Sequence, residues 1–116
     1  MATDEYLLER IRDILNFKKV HFTEKRMFGG NAFMVDEKML MGTFQGGLMA
    51  RVEPELVESL IEKEGASQMK MRDRIMTGYL RIEPEGYDLE EDLEFWIQQC
   101  LDFNPKAKAS KKKKSS

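Results

Sequence analysis

A single cysteine, Cys100, and a single histidine, His21, stand in the 116 residues of this sequence. One thiol cannot form an intramolecular disulfide. One thiol and one imidazole cannot supply the four Cys/His ligands of a structural zinc site, so no metal is expected. No run of 18 apolar residues occurs, which excludes a spanning helix and membrane partnership of that kind. The N-terminal "MATDEYLLER" carries acids where a secretion signal needs positive charge, so the chain reads as cytoplasmic. Also missing are G-x-S-x-G, H-E-x-x-H, C-x-x-C and a complete phosphate loop: Gly42 and Gly47 have the right separation, but Leu48 stands where the lysine is needed. No enzyme signature remains, and no cofactor is implied.

Charged residues make up 34% of the chain and hydrophobic residues 41%, the balance of one soluble globular domain. The net charge of −2 hides a division. Residues 105–116, "PKAKASKKKKSS", hold six lysines and no acid, which leaves 13 basic against 21 acidic residues, a net of −8, in 1–104. The reading is therefore a domain over 1–104 and a disordered, lysine-rich tail over 105–116. The acidic body repels polyanions on average, whereas Lys111, Lys112, Lys113 and Lys114 of the tail attract them.

Leu7, Leu8, Ile11, Ile14 and Leu15 have helical spacing, predicting a helix over about 4–16 with Thr3 as N-cap. Between His21 and Val52 the rhythm becomes that of short strands, "HFTEKRMF", "NAFMVD", "KMLMGTF" and "LMARV", parted by Gly-Gly, Asp-Glu and Gln-Gly-Gly. Pro54 opens a second helix over about 54–64, with Gly65 as its left-handed end. "SQMKM" and "RIMTGYLRIE" give two more strands around the turn "RDR". Asp88 is read as the cap of a third helix whose Leu89, Leu93, Trp96, Ile97, Cys100 and Leu101 lie on one face. The order helix, strands, helix, strands, helix predicts an α+β fold, a two-layer antiparallel sheet with packed helices.

Strict alternation would put Met39 and Met41 on one sheet face with Leu40 opposite, and Met76, Gly78, Leu80 and Ile82 together, facing away from Ile75, Thr77 and Tyr79. Both faces are then apolar. Helices cover one, and the other is filled as core or left for a second subunit or partner.

Gly29-Gly30 leads into a strand rather than a helix, so a turn or bulge using positive φ is favoured over a phosphate cradle. Arg26 shares a face with Phe22, Glu24 and Phe28, as an ion-pair anchor or an anion-binding group. His21 and Cys100 read as structural. Lys25, Arg26, Lys70, Arg72, Arg74 and Arg81 are the candidate basic cluster, and Lys70, Arg72 and Arg74 sit closest together.

"RMFGGNAFMVDEKMLMG", "LMARVEP", Gly65-Ala66, "RIMTGYLRI" and "DLEFWIQQCL" together resemble the TfoX N-terminal domain family, over about residues 4–103. That family is named for a regulator of DNA uptake competence in bacteria. The resemblance implies a fold similar to secretion chaperones, a homodimer, a bacterial cytoplasmic setting and a regulatory role in transcription. It carries Arg26, Met27, Phe28, Gly29 and Gly30 across as signature positions, without catalytic residues. The expectation is a non-enzymatic regulatory module that binds another protein; direct nucleic-acid binding through Lys70, Arg72, Arg74 and the tail is the alternative.

Overall fold

A computed structural model describes residues 5–27, 30–44 and 46–107, without the side chains of Met27 and Met71. Thr3, Phe28, Gly29 and the tail lysines from Lys108 onward lie outside the described residues. The chain runs α1 (Glu5–Phe17), β1 (Thr23–Met27), β2 (Gly30–Val35), β3 (Lys38–Phe44) and β4 (Gly47–Arg51). It continues with α2 (Val57–Leu60), β5 (Ala66–Met71), β6 (Arg74–Ile82) and α3 (Glu90–Phe103). The six strands form one antiparallel sheet in the order β1-β2-β3-β4-β6-β5, so the expected α+β architecture stands.

The predicted stripes become the helix–sheet core. Leu7, Leu8, Ile11, Ile14 and Leu15 of α1 and Leu93, Trp96, Ile97 and Cys100 of α3 bury against Phe33, Leu40, Met41, Leu48, Ala50, Leu80 and Ile82. The Trp96 indole donates to the Gly86 carbonyl at 3.1 Å, satisfying its one polar group inside the core. Arg12 of α1 makes a two-pronged bond to Glu24 of β1, at 2.6 and 2.9 Å, pinning the helix to the sheet edge. That guanidinium holds the Glu24 carboxyl below its ordinary pKa.

Two local readings change. The second helix is shorter than 54–64: a 3-10 turn over Pro54–Leu56 precedes four α-helical residues. Beyond them, Glu62 and Lys63 donate to Ser59 and Leu60, three residues back, so the coil tightens and ends at Gly65 with φ 80°. The cap of α3 is Leu89 rather than Asp88, and it makes no side-chain cap bond. The Asp88 carbonyl instead receives Arg10 at 3.2 Å, and three acids in the first turn favour the positive helix end.

Two bulges overturn the strict alternation. In the β2–β3 pair Phe33 faces Met41 while Met34 faces Met39, so Leu40 is an extra residue. Leu40 and Met41 therefore both enter the helix-side core, and Met39 alone turns to the other face. In the β5–β6 pair Gln68 faces Leu80 while Lys70 faces Ile75, leaving Met76–Tyr79 opposite Met69. Gly78, at φ 83°, makes this possible, and the Gln68 amide donates to the Met76 and Tyr79 carbonyls that the bulge frees. Met76 thus joins Tyr79, away from Leu80 and Ile82.

The second sheet face is apolar, as expected, and its centre is filled as core. Ala32, Met34, Met39, Met49 and Met69 form a second core, none more than 8% exposed, with Phe44, Met76 and Tyr79 packed against it.

Candidate functional site

The signature segment lies at a sheet edge. Arg26 is on β1, whose only partner among the described residues is β2, and it faces Asn31 across the ladder. It is exposed, and among the described residues it belongs to no ion pair, so the expected anchor is not formed there. The nearby guanidinium that does anchor this strand is Arg12, a residue the strand pattern gave no reason to single out.

Gly30 opens β2 without a positive φ, which corrects the reading of it as a left-handed turn residue. The need is space: a Cβ there would run into the Thr43 carbonyl oxygen, with the Thr43 carbonyl carbon and Oγ1 at 2.9 Å. Next to it the Asn31 amide donates to Thr43 Oγ1 at 3.1 Å. The glycine is occupied by protein backbone rather than by room for a ligand.

The candidate basic cluster separates. β1, with Lys25 and Arg26, and β5, with Lys70, are opposite edges of the sheet. Arg81 is bonded to Glu83 at 2.7 Å and to the Phe44 carbonyl at 2.8 Å, making it a structural cation. Lys70, Arg72 and Arg74 do come together, all exposed, on the β5–β6 hairpin, whose turn residues Arg72 and Asp73 both take positive φ. His21 is exposed between α1 and β1. Cys100 is buried, and its thiol is pushed up to about 12 by desolvation. Among the described residues no group of His, Cys, Asp or Glu could hold a metal ion, and no helix is long and apolar enough to cross a membrane.

Two surface features were not singled out from the sequence. On α1, Tyr6 and Phe17 are 72% and 84% exposed, and eleven positions, about three turns, put them on one helix face. Arg10, on that face, reaches over the Tyr6 ring and bonds the Tyr87 and Asp88 carbonyls, beside exposed Leu89. The second feature is Arg51, at the end of β4, over the rings of Tyr79 at 5.5 Å and Phe103 at 5.9 Å. It lines a cavity of about 260 Å³ with Pro54, Thr77, Gly78, Tyr79, Phe103 and Lys106. Spacing signals for either were absent, because the first is an interruption of polarity on a helix and the second is assembled from three distant segments.

Comparison with protein families matches residues 17–104 to the TfoX N-terminal domain, the span from the end of α1 through α3. No curated protein matches the chain, and no solved structure does. The matched span contains the whole sheet and α3, and at family level it supports a competence-related regulatory domain. The chain belongs to the TfoX N-terminal domain family.

Proposed function

We propose that the chain is a bacterial, cytoplasmic, non-catalytic module of competence and transcription control that works as a homodimer and through contact with another protein. The observation that carries the reading is the exposed aromatic face of α1, Tyr6 and Phe17, on a domain whose two sheet faces each hold a buried core. Aromatic side chains supply much contact area at little entropic cost, and a pair of them left in water favours a macromolecular partner. Light scattering of the full chain tests this. The wild type is expected at twice the chain mass, and a Tyr6→Ser/Phe17→Ser variant at the mass of one chain, with unchanged helical circular dichroism. A wild type that is monomeric at every concentration defeats the homodimer part. A variant that still dimerises moves the interface elsewhere, to the β1 edge.

A second reading is direct nucleic-acid binding, favoured by the exposed Lys70, Arg72 and Arg74 on one hairpin tip. Asn104 donates to the buried Val35 carbonyl at 3.2 Å and Ala107 is buried, so a tail truncation belongs after Ala107. A fluorescent DNA duplex titrated with the full chain and with one lacking residues 108–116 separates the two readings. Binding that survives truncation and is lost on Lys70→Glu/Arg72→Glu/Arg74→Glu supports the second. Binding that disappears with the tail reduces it to nonspecific electrostatics.

A further inference from the structure

Arg51 stands apart from the chain's other anchored arginines. Arg10, Arg12 and Arg81 each pair with a carboxylate, Glu90, Glu24 and Glu83 respectively. Arg26, Arg72 and Arg74 are exposed and solvated. Arg51 is half-buried, its guanidinium lies against Tyr79 and Phe103, and among the described residues it has no carboxylate or side-chain hydrogen-bond partner. Held over two rings by cation–π attraction, the guanidinium has no acceptor for its N–H groups among the described residues. In a body with a large excess of acid, an arginine held by aromatic rings and kept from carboxylates is a group presented for an outside anion.

The cavity beside it is suited to one. No carboxylate belongs to its wall. Lys106 adds a second cation; it is bonded to Glu53 at 3.1 Å, and an ammonium has two further hydrogens to give. Thr77 and Tyr79 are the hydroxyl-bearing residues of the wall, and Pro54 and Phe103 supply apolar sides. The guanidinium fork, the ammonium and two hydroxyls together offer more donors than the two oxygens of a carboxylate can accept. A phosphate group has three terminal oxygens and a double negative charge, and it matches the fork. A volume of about 260 Å³ admits a phosphate with a short ester group rather than a large ligand.

We propose that Arg51, Lys106, Thr77 and Tyr79 form a binding site for phosphate, free or as a small monoester, at the junction of β4, the β6 bulge and the end of α3. Gly78 lies between Thr77 and Tyr79 in the wall of the cavity. The site is separate from the α1 face, so its test neither depends on the partner reading nor decides it.

The test is a titration of the full chain with inorganic phosphate, and in a second arm with glycerol phosphate, followed by amide NMR shifts at constant ionic strength. Saturable shifts confined to Arg51, Thr77, Gly78, Tyr79 and Lys106 are expected. Tighter binding of the ester would identify a phosphorylated metabolite as the source, and equal binding would identify the free ion. An Arg51→Met variant, which keeps an apolar stem between the rings, is expected to weaken binding about tenfold or more while the Trp96 fluorescence of the folded state is retained. Arg51→Lys is expected to fall between the two. Shifts that chloride reproduces, that do not saturate, or that persist unchanged in Arg51→Met would overturn the site. Should Arg51→Met unfold, Lys106→Met and Thr77→Val supply the same comparison from the opposite walls.

Discussion

Replacing Gly30 with alanine tests whether the glycine of "RMFGG" serves the protein's own backbone. The added Cβ would overlap the Thr43 carbonyl oxygen and sit 2.9 Å from Thr43 Oγ1, whereas ordinary contact begins at 3.4 Å. The obstacle is backbone in the adjoining strand, so no rotamer change relieves it. Relief requires β2 and β3 to part by about 1 Å, an overpacking strain of about 1–3 kcal/mol. The bond from the Asn31 amide to Thr43 Oγ1 is stretched in the same movement, which adds about 1 kcal/mol. Together these predict a loss of about 2–4 kcal/mol, or about 10–20 °C in Tm for a domain of this size. Trp96, the sole tryptophan and fully buried, reports urea unfolding directly. The midpoint should fall with the slope unchanged. Gly46→Ala is the control: its φ is 82° with nothing within 4 Å of the added atom, so it isolates the conformational cost, about 1 kcal/mol. A Gly30→Ala protein as stable as wild type, or no worse than Gly46→Ala, would refute the close-approach argument and return Gly30 to the candidates for ligand contact.

The Arg12–Glu24 pair is partly exposed, so Glu24→Gln should cost at most about 1 kcal/mol at neutral pH. Because the folded-state pKa of Glu24 is lowered, that stability is present above the unfolded carboxylate pKa and fades as pH falls through the folded value. Urea midpoints of wild type and Glu24→Gln should therefore converge in acid, and a gap that persists there would contradict the assignment. Cys100, buried with its thiol pushed up to about 12, should not react with a disulfide reagent at mildly alkaline pH until denaturant is added; prompt labelling of the native chain would show the α3 core to be open. Glu37 holds φ 66° at the second position of the β2–β3 turn, where glycine is less strained, so Glu37→Gly should raise stability by about 1 kcal/mol in the same urea assay.

Much of the fold was legible because helices repeat the same demand every turn. The stripe Leu7–Leu15 is the face that packs, and of the α3 stripe Leu93, Trp96, Ile97 and Cys100 are buried and Leu101 partly so, whereas Leu89, which caps the helix, is 61% exposed and leaves the predicted face. The strands and their hairpins were legible from turn residues, even at Asp36-Glu37, where two positive φ angles form the hairpin without a glycine, but not the placing of β6 rather than β5 beside β4. The faces of β3 and β6 were not. A bulge moves every later side chain to the opposite face, and neither Leu40 nor Met76 differs in character from its neighbours in a way that marks one. Gly78 was the available signal in β6, since an isolated glycine inside a strand pattern points to a bulge. Arg51 was illegible for another reason: its aromatic neighbours are 28 and 52 positions away, and only the β4–β6 register and the course of α3 bring them together.

The two bulges also change where a partner can bind. Had the strands alternated strictly, methionines would have lined an open face, and a second copy laid across it would have been the natural cover. With Leu40 and Met41 both turned to the helices, and Met76 turned toward Tyr79, the remaining methionines close into a core of their own. The five core side chains of that face, none more than 8% exposed, would add little to a dimer interface there, which would have to draw on the partly exposed Phe44, Met76 and Tyr79 beside them. Among the described residues the most exposed large apolar side chains are Tyr6 and Phe17 of α1, ahead of Leu89, Ile75 and Leu56. A homodimer interface is therefore expected on the helix rather than across the methionines, and a mass measurement on the Tyr6→Ser/Phe17→Ser variant bears on it more directly than any substitution among them.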